Sequence, residues 1–494
     1  MNTRTQTRKS TPESANASDP QAPVQEAAIP SFEVRRAIGR AARKRVPRGL
    51  HAAWVPSSDR PDPVALLEEQ AASRVPELVP IRYGRMMVSP FTFYRGAALI
   101  MASDLSTTPN SGIITQLCGD AHLSNFGVFG TPERTMIFDI NDFDETLPGP
   151  WEWDLKRLAA SFEIGGRNAK LSKSDRRAAT RAVSRSYREQ MREAAHAPVL
   201  QAWYDRLDVD QVLELLRAER HAKHVGGRQM GKADEIIAKA RTKDSAGAVA
   251  KLVRVVDGQL RIQPDPPLIE TIENIAPDDD TRRRFEGTMR SLIEDYTTTL
   301  PGERHPIQEY RYVHMARKVV GVGSVGTRAW VLLLRGRDDH DSLVLQAKEA
   351  QESVLERFLG PSQYAEHGQR VVAGQRLMQA ASDIFLGWQQ VDGVDGVKRD
   401  FYVRQLHDWK GSVDVDNVRA RGVKFYARLC GQALARAHSR SGDRVAIAAY
   451  LGKGDRFDRA IADFSTAYAD QNERDYAAFV EAVSSGRLTA VPGL

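Results

Sequence analysis

Cysteine is nearly absent: the 494 residues contain only Cys118 and Cys430. Two cysteines cannot build the disulfide framework of a small secreted domain, so stability must come from a packed core. Long hydrophobic runs are absent too. Unbroken apolar stretches such as Trp330 to Leu334 fall far short of the roughly 18 residues that a membrane span needs, and the first thirty residues carry no apolar signal core. These absences predict a cytoplasmic chain with no membrane partner. Strong charge of one sign is also missing, since 70 Lys+Arg against 64 Asp+Glu leaves +6. Residues 161 to 260 hold 20 basic and 13 acidic residues and so account for the whole excess. Basic side chains spread along helices suit a solvated face, and no zinc-finger spacing or RNA-recognition signature accompanies them. Nucleic acid is therefore not an expected partner. What is present is an ordinary globular balance, 41% hydrophobic and 27% charged. The length allows about three domains or two large lobes.

Residues 1–30 are rich in Thr, Ser, Ala, Gln and Pro without hydrophobic periodicity, which predicts a disordered tail. Apolar residues recur at three and four from Phe91 to Leu105, predicting one helix after Pro90. Strands are predicted at 113–118 and 135–140, and PGP at 148–150 precedes a helix beginning near Trp151. Residues 172–300 read as mostly helical, with Asp208 and Gln211 as a capping box. After Pro306 glycine turns alternate with β-rich runs, WVLLL at 330–334 and LVLQA at 343–347, which predicts a small antiparallel sheet and a boundary near 300. FYVRQL at 401–406 adds a strand, and helices return at 422–438 and 455–482. No internal repeat is visible.

The densest chemistry lies in CGDAHLSNFGVFG (118–130) and FDINDFDE (138–145). Asp120 follows a strand and a glycine, Asn125 sits in the same loop, and Asp139 ends a buried apolar strand. A carboxylate able to accept a hydroxyl proton, with Asn and Asp as hard oxygen ligands, suits Mg²⁺-assisted phosphoryl transfer. Such residues also cap ordinary turns, and for Asp142 and Asp144 taken singly that alternative weighs evenly against metal binding.

G-D-x-H-x-x-N followed by an apolar strand ending in Asp resembles the catalytic core of aminoglycoside and choline kinase-like phosphotransferases. Cys118 stands where those families have His. PGPWEWDL at 148–155 resembles their downstream G-x-P-x-x-D-L-A segment. The resemblance implies Asp120 as catalytic base, Asn125 as catalytic-loop metal ligand and Asp139 as main metal ligand; Asp142 and Asp144 have no fixed counterpart in it, and Asp142 is a further metal candidate by residue type alone. It gives Asp154 the role of holding the loop backbone. His122 is a catalytic candidate, although a loop His often braces backbone. The segments RMMVSPFTFYRGAA (85–98), CGDAHLSNFG, NDFDETLPGPWEWDLKRLAAS (141–161), LQAKEA (345–350) and YVRQLHDWKGS (402–412) also resemble an uncharacterised bacterial family of the domain-of-unknown-function kind, which implies no substrate.

GVGSVGTR at 321–328 places Gly321, Gly323 and Gly326 in G-x-G-x-x-G, with Ser324 inside it. The pattern continues into a strand, unlike a dinucleotide fold. A glycine loop between antiparallel strands resembles the kinase phosphate-covering loop, and Lys348 resembles the strand lysine that pairs with nucleotide phosphates. An ordinary hairpin is the plain alternative. Glu352, on a predicted helix 349–359, is the candidate partner of Lys348, with Glu349 and Glu356 as rivals. Arg85 and Arg95 have the fork geometry for phosphate or carboxylate, but structural pairing is the favoured expectation for each. His438 reads as a packed helix-end histidine, and Trp151 and Trp153 as core.

Kinases place the glycine loop and lysine before the catalytic loop, whereas here they follow it. The expectation is therefore an α+β, two-lobed, circularly permuted protein kinase-like fold: a tail at 1–30, a helical catalytic lobe at 31–300, a β lobe at 301–420 and C-terminal helices at 421–494 packing on the catalytic lobe. The activity implied is an ATP- and Mg²⁺-dependent phosphotransferase acting on a small-molecule acceptor. The alternatives are a phosphoester hydrolase using metals on Asp120, His122, Asp139 and Asp142, a nucleotide-binding regulator with little turnover, and a nucleotidyltransferase using the same site.

Overall fold

A computed structural model describes residues 1, 29–221, 231, 235, 237–241, 245–276, 278–393, 395–406, 409, 411–412 and 420–494. The predicted tail, apart from Met1 and residues 29–30, lies outside the described residues, as do His407, Asp408 and Lys410 of the YVRQLHDWKGS segment.

The N-terminal part is helical: α1 (Phe32–Arg45), α2 (Pro63–Ala71), α3 (Val79–Met86), α4 (Pro90–Gly96) and α5 (Ala98–Ser106). The single helix predicted over 91–105 is two helices that meet at Ala97. Ser89 and Thr92 form a reciprocal capping box that starts α4. The buried Arg82 donates to the Gly96 carbonyl at 2.9 Å and so holds that end of α4.

Strand β1 (Ile114–Leu117) pairs antiparallel with β4 (Leu147–Pro150), Leu117 opposite Leu147. Between them in sequence lies the hairpin of β2 (Phe126–Gly130) and β3 (Met136–Ile140). Loop 118–125 joins β1 to β2, and loop 141–146 joins β3 to β4. The Asn141 N–H donates to the Asn125 carbonyl at 2.8 Å, so the two loops emerge side by side. Helices α6 (Glu152–Asn168) and α7 (Lys173–His196) follow, then α8 (Val199–Tyr204) and α9 (Val209–His221). Trp151 and Trp153 are buried as expected, Trp151 stacked on Tyr187 with centroids 5.5 Å apart.

The stretch predicted as helical up to 300 contains strands. Helix α10 (Ser245–Leu252) runs into a hairpin of β5 (Val253–Val256) and β6 (Gln259–Ile262). Its turn is Asp257–Gly258, both at positive φ, the two-residue turn whose twist matches paired strands. Strand β7 (Ile269–Thr271), α11 (Ile272–Ile275) and α12 (Asp279–Tyr296) come next.

The larger sheet has six strands in the order β11-β12-β10-β9-β8-β7, every pair antiparallel, with β8 (Arg311–Lys318), β9 (Ala329–Arg335), β10 (Ser342–Ala350), β11 (Gly387–Asp392) and β12 (Lys398–Gln405). Side chains alternate along a strand. Trp330, Leu332 and Leu334 pack with Met289, Leu292 and Tyr296 of α12, whereas Val331 and Leu333 pack with Val253 and Ile262 of the β5–β6 hairpin. Both faces of β9 are thus covered, and the unit around this sheet includes residues well before 300. The change of composition near 306 marks the strands β8 to β12 but neither β7 nor the elements that cover the sheet.

Strand β10 continues through Glu349 to Ala350, where a helix over 349–359 was predicted, and only α13 (Glu356–Leu359) is helical there. Cross-strand pairing of Glu349 with Phe401 outweighs helix propensity. Helix α14 (His367–Met378) lies between the sheet and the loops. The C-terminal helices α15 (Ala420–Ser441), α16 (Arg444–Leu451) and α17 (Arg456–Ser484) pack on α1, α6 and α7. The architecture is α+β with antiparallel sheets. Among the described residues no helix is long and apolar enough to cross a membrane.

Candidate functional site

The loop after β1 is held from below by Asp154, in the first turn of α6. Its two carboxylate oxygens accept the N–H groups of Cys118 at 2.8 Å and Gly119 at 3.1 Å. His438 of α15 reaches the same carboxylate, Nε2 to Oδ2 at 3.2 Å, and its Nδ1 lies 2.8 Å from the Tyr187 hydroxyl. His438 is therefore packed, as its helix-end position predicts, and it braces the loop through Asp154. Gly119 has φ +84°, and a Cβ there would stand 2.2 Å from the Glu145 carbonyl oxygen. Only glycine fits a left-handed position in such contact with the neighbouring loop.

That turn presents Asp120. Arg157, one helical turn beyond Asp154, pairs with its Oδ1 at 2.5 Å. Burial raises the Asp120 pKa, and the Arg157 charge and hydrogen bond act against that rise. Asn125 donates through Nδ2 to the Asp120 carbonyl at 2.8 Å and so closes the loop on itself. His122 is buried, its Nε2 3.7 Å from Asp120 and its Nδ1 without a hydrogen-bond partner. Burial first, then the charges of Arg95 and Arg157, hold this imidazole well below its usual range, so it is neutral.

Lys348 on β10 lies opposite Ala329, just after the glycine turn, and opposite Tyr402 on β12. Opposed residues share a face. Lys348 Nζ donates to Asp144 Oδ2 at 2.6 Å, the Tyr402 hydroxyl donates to Oδ1 at 2.5 Å, and Ser324 Oγ lies 3.2 Å from Oδ2. Asp142 is 4.0 Å from the same ammonium. Burial alone would raise the Asp144 pKa. The Lys348 charge and the hydrogen bonds from Lys348 and Tyr402 outweigh it and lower the group to about 2. Arg370 fixes this loop by donating to the carbonyls of Asp144 at 2.9 Å and Thr146 at 2.8 Å.

A cleft of about 480 Å³ brings together Asp120, His122, Asn125, Asp142, Gly321, Gly323, Ser324 and Glu352, with Asp144 and Glu145. The loops, the glycine turn and the α2–α5 segment all contribute to its walls. Three sequence candidates do not line it: Asp139, Gly326 and Lys348, the last buried behind Asp144 and reaching the cleft only through that carboxylate. Asp139 pairs with Gly127 inside the β2–β3 ladder, and its carboxylate accepts the N–H groups of Ile140 at 2.9 Å and Ala380 at 3.2 Å. Gly326, at φ +93°, packs instead against the Arg74 side chain. Lys348 does not meet the expected glutamates. Glu352 is exposed at the cleft, Glu349 pairs with Arg328 at 3.3 Å, and Glu356 accepts the N–H groups of Ser353 and Ser362. Arg85 donates to the Gly321 carbonyl at 2.6 Å.

Sequence reasoning missed Arg157, Glu145, Arg74 and Arg82. Arg157 was legible, because a residue three after Asp154 on a helix shares its face. The others come together only through packing. Among the described residues no group of three or more His, Cys, Asp or Glu side chains could hold a metal by itself.

The fold and site thus define an α+β chain whose polar cleft joins two Asp-bearing loops to a glycine turn and a strand lysine. The chain belongs to a family described as an uncharacterised protein conserved in bacteria, DUF2252, whose family model matches residues 74–482. No curated protein and no solved structure matches it.

Proposed function

We propose that the cleft binds a magnesium-nucleotide and transfers its terminal phosphoryl group to a hydroxyl of a small molecule, on a two-lobed, circularly permuted kinase-like fold. The observation that carries this reading is the meeting of Lys348, from a strand beside the glycine turn, with Asp144, two residues from Asp142 and in the same cleft as Asp120 and Asn125. Magnesium takes one or two carboxylates plus phosphate oxygens and waters rather than an all-protein cage. Asp142, Asp144 and Asn125 offer that hard-oxygen chemistry, so Asp142 and Asp144 take the place that sequence alone assigned to Asp139. Bound there, Mg²⁺ would neutralise charge on the transferring phosphoryl group.

The chain's own groups supply the rest. Lys348 is charged across the accessible pH range, because Asp142 and Asp144 raise its pKa against the opposing effect of burial. It can exchange Asp144 for phosphate oxygens. The glycine turn allows close backbone approach. Asp120, oriented by Arg157, accepts the acceptor's hydroxyl proton as the acceptor oxygen bonds to phosphorus and the bond to the nucleoside diphosphate breaks. Nucleoside triphosphate and alcohol thus give nucleoside diphosphate, a phosphate monoester and one proton. Positioning and charge stabilisation provide the catalysis. The hydrolase alternative needs Asp139 as a ligand, and that carboxylate is engaged by backbone N–H groups outside the cleft.

The test is a thermal-shift titration with ATP, with and without Mg²⁺, on wild type, Asp142→Asn, Asp120→Asn and Asp139→Asn. Ligand at 100 times its Kd adds about 2.7 kcal/mol. A Mg²⁺-dependent shift should appear in wild type, weaken at least tenfold in Asp142→Asn, and persist in Asp120→Asn and Asp139→Asn. No shift in wild type at millimolar nucleotide would overturn the reading.

A further inference from the structure

One wall of the cleft carries guanidinium groups that make no direct ion pair with a carboxylate among the described residues. Arg74, Arg82 and Arg95 all line it, from the α2–α4 segment. Arg357, on the same lining, shows the usual arrangement: it lies 3.0 Å from Glu69. The three others have no hydrogen-bonded or ion-paired acid among the described residues. Arg82 is 0% exposed and uses one nitrogen, NH2, on Gln70 Oε1 at 3.1 Å and the Gly96 carbonyl at 2.9 Å. Its Nε and NH1 have no partner. Arg74 donates through NH1 to the Val325 carbonyl of the glycine turn at 2.5 Å, and its Nε is unpartnered. Arg95 Nε is buried and unpartnered as well.

A buried cation is strongly disfavoured unless an anion or a full set of acceptors surrounds it. Orphaned buried donors on one wall therefore call for a missing acceptor. Several of the cleft's acids are already paired with other cations. Asp120 is matched by Arg157, Asp144 by Lys348 and Glu349 by Arg328. Arg95 also stands near the reacting centre, since its charge acts on Asp120 and Asp142. Its carbonyl lies 3.2 Å from where a Gly323 Cβ would be, so the end of α4 abuts the glycine turn.

We propose that Arg95, together with Arg82 and Arg74, forms an anion site for a phosphate or carboxylate group carried by the acceptor molecule. The inference rests on the phosphotransferase reading and narrows it: the acceptor is an anionic hydroxyl compound. Cationic amino acceptors, of the kind the kinase resemblance brings to mind, are repelled by this wall. Guanidinium forks bind such oxyanions in two-pronged fashion, which an ammonium cannot reproduce.

The experiment uses the full chain and inorganic phosphate as probe. Binding is measured calorimetrically at constant ionic strength against a chloride control, with and without a saturating, non-hydrolysable Mg-nucleotide. Wild type should bind phosphate in both conditions. Arg95→Gln should raise the phosphate Kd at least tenfold, which is about 1.4 kcal/mol, and leave the Mg-nucleotide Kd within twofold. Arg95→Lys should recover only part of the loss, and Arg74→Gln serves if Arg95→Gln does not fold. Phosphate affinity unchanged in Arg95→Gln overturns the site. Competition between phosphate and nucleotide overturns the acceptor assignment and gives the guanidinium groups to the nucleotide's own phosphates. A chain that binds Mg-nucleotide but no phosphate sinks this inference alone. A chain that binds phosphate through Arg95 but no nucleotide keeps the anion site and sinks the phosphotransferase reading.

Discussion

Replacing Lys348 by Met tests the central contact of the cleft, because it removes the ammonium and keeps most of the buried chain. Lys348 and Asp144 lie 2.6 Å apart, with side chains 3% and 28% exposed. At an effective dielectric of about 20 the gross attraction is roughly 6 kcal/mol. Desolvation cancels much of it, and losing one partner of a buried pair typically costs about 3–5 kcal/mol. Asp144 keeps Tyr402, Ser324 and some solvent, so a loss of about 2–3 kcal/mol is expected at pH 8. The loss should depend on pH. In the native chain Asp144 is lowered to about 2, so its contribution is present above the unfolded carboxyl pKa and is lost as pH falls through the folded value. Without Lys348, burial raises that pKa, and protonation then relieves the buried charge. The gap between wild type and Lys348→Met should therefore narrow from pH 8 to pH 4. Asp144→Asn in the Lys348→Met background should recover at least about 1 kcal/mol, a coupling typical of touching residues. Urea denaturation of wild type, Lys348→Met, Asp144→Asn and the double variant at pH 8 and pH 4 measures both effects. Strict additivity, or a Lys348→Met chain as stable as wild type at pH 8, would refute the reasoning.

Two further predictions concern the neighbouring loops. Glu145, whose Oε2 accepts the Val354 N–H at 2.8 Å, is raised by burial to about 7. Its favourable contribution is full below the unfolded pKa and is lost as pH rises through about 7, a change of about 3 kcal/mol. Glu145→Gln should flatten the nucleotide-free Tm profile between pH 5 and 8, and profiles that stay parallel count against the buried acid. Gly119→Ala, at φ +84° and facing the Glu145 carbonyl, should cost roughly 2–4 kcal/mol from backbone strain plus overlap. Gly321→Ala, at φ +68° in open space, should cost only about 1 kcal/mol. Equal losses in thermal denaturation would mean that the two loops do not touch.

Local pattern made several parts of the chain legible. The unbroken apolar run WVLLL marks a strand, and the structure buries both of its faces. Five residues span little more than a turn, so the spacing of Asp120 and Asn125 puts them in one loop. The role of Asp154 on the Cys118 and Gly119 backbone was legible only through the family resemblance, and the structure shows both contacts. The Asp257–Gly258 turn was equally readable in VRVVDGQLRI, but the helical character around it hid the hairpin.

The rest depends on contacts between distant segments. Asp139, Asp142 and Asp144 are all acidic and nearly adjacent, and sequence spacing cannot say which one faces the cleft. The β2–β3 ladder decides it: the last ladder residues turn Asp139 towards Ala380, and the loop beyond the strand carries Asp142 and Asp144 into the cleft. The acid that meets Lys348 is 204 residues away in sequence, whereas the expected glutamates were local. By itself the sequence determined which residue types the site contains, the loops and strands that carry them, and the α+β class. The tertiary structure alone decided which of those groups meet and which arginines face the cleft without an acid, because long-range ion pairs are selected by how sheet, loops and helices pack and not by spacing along the chain.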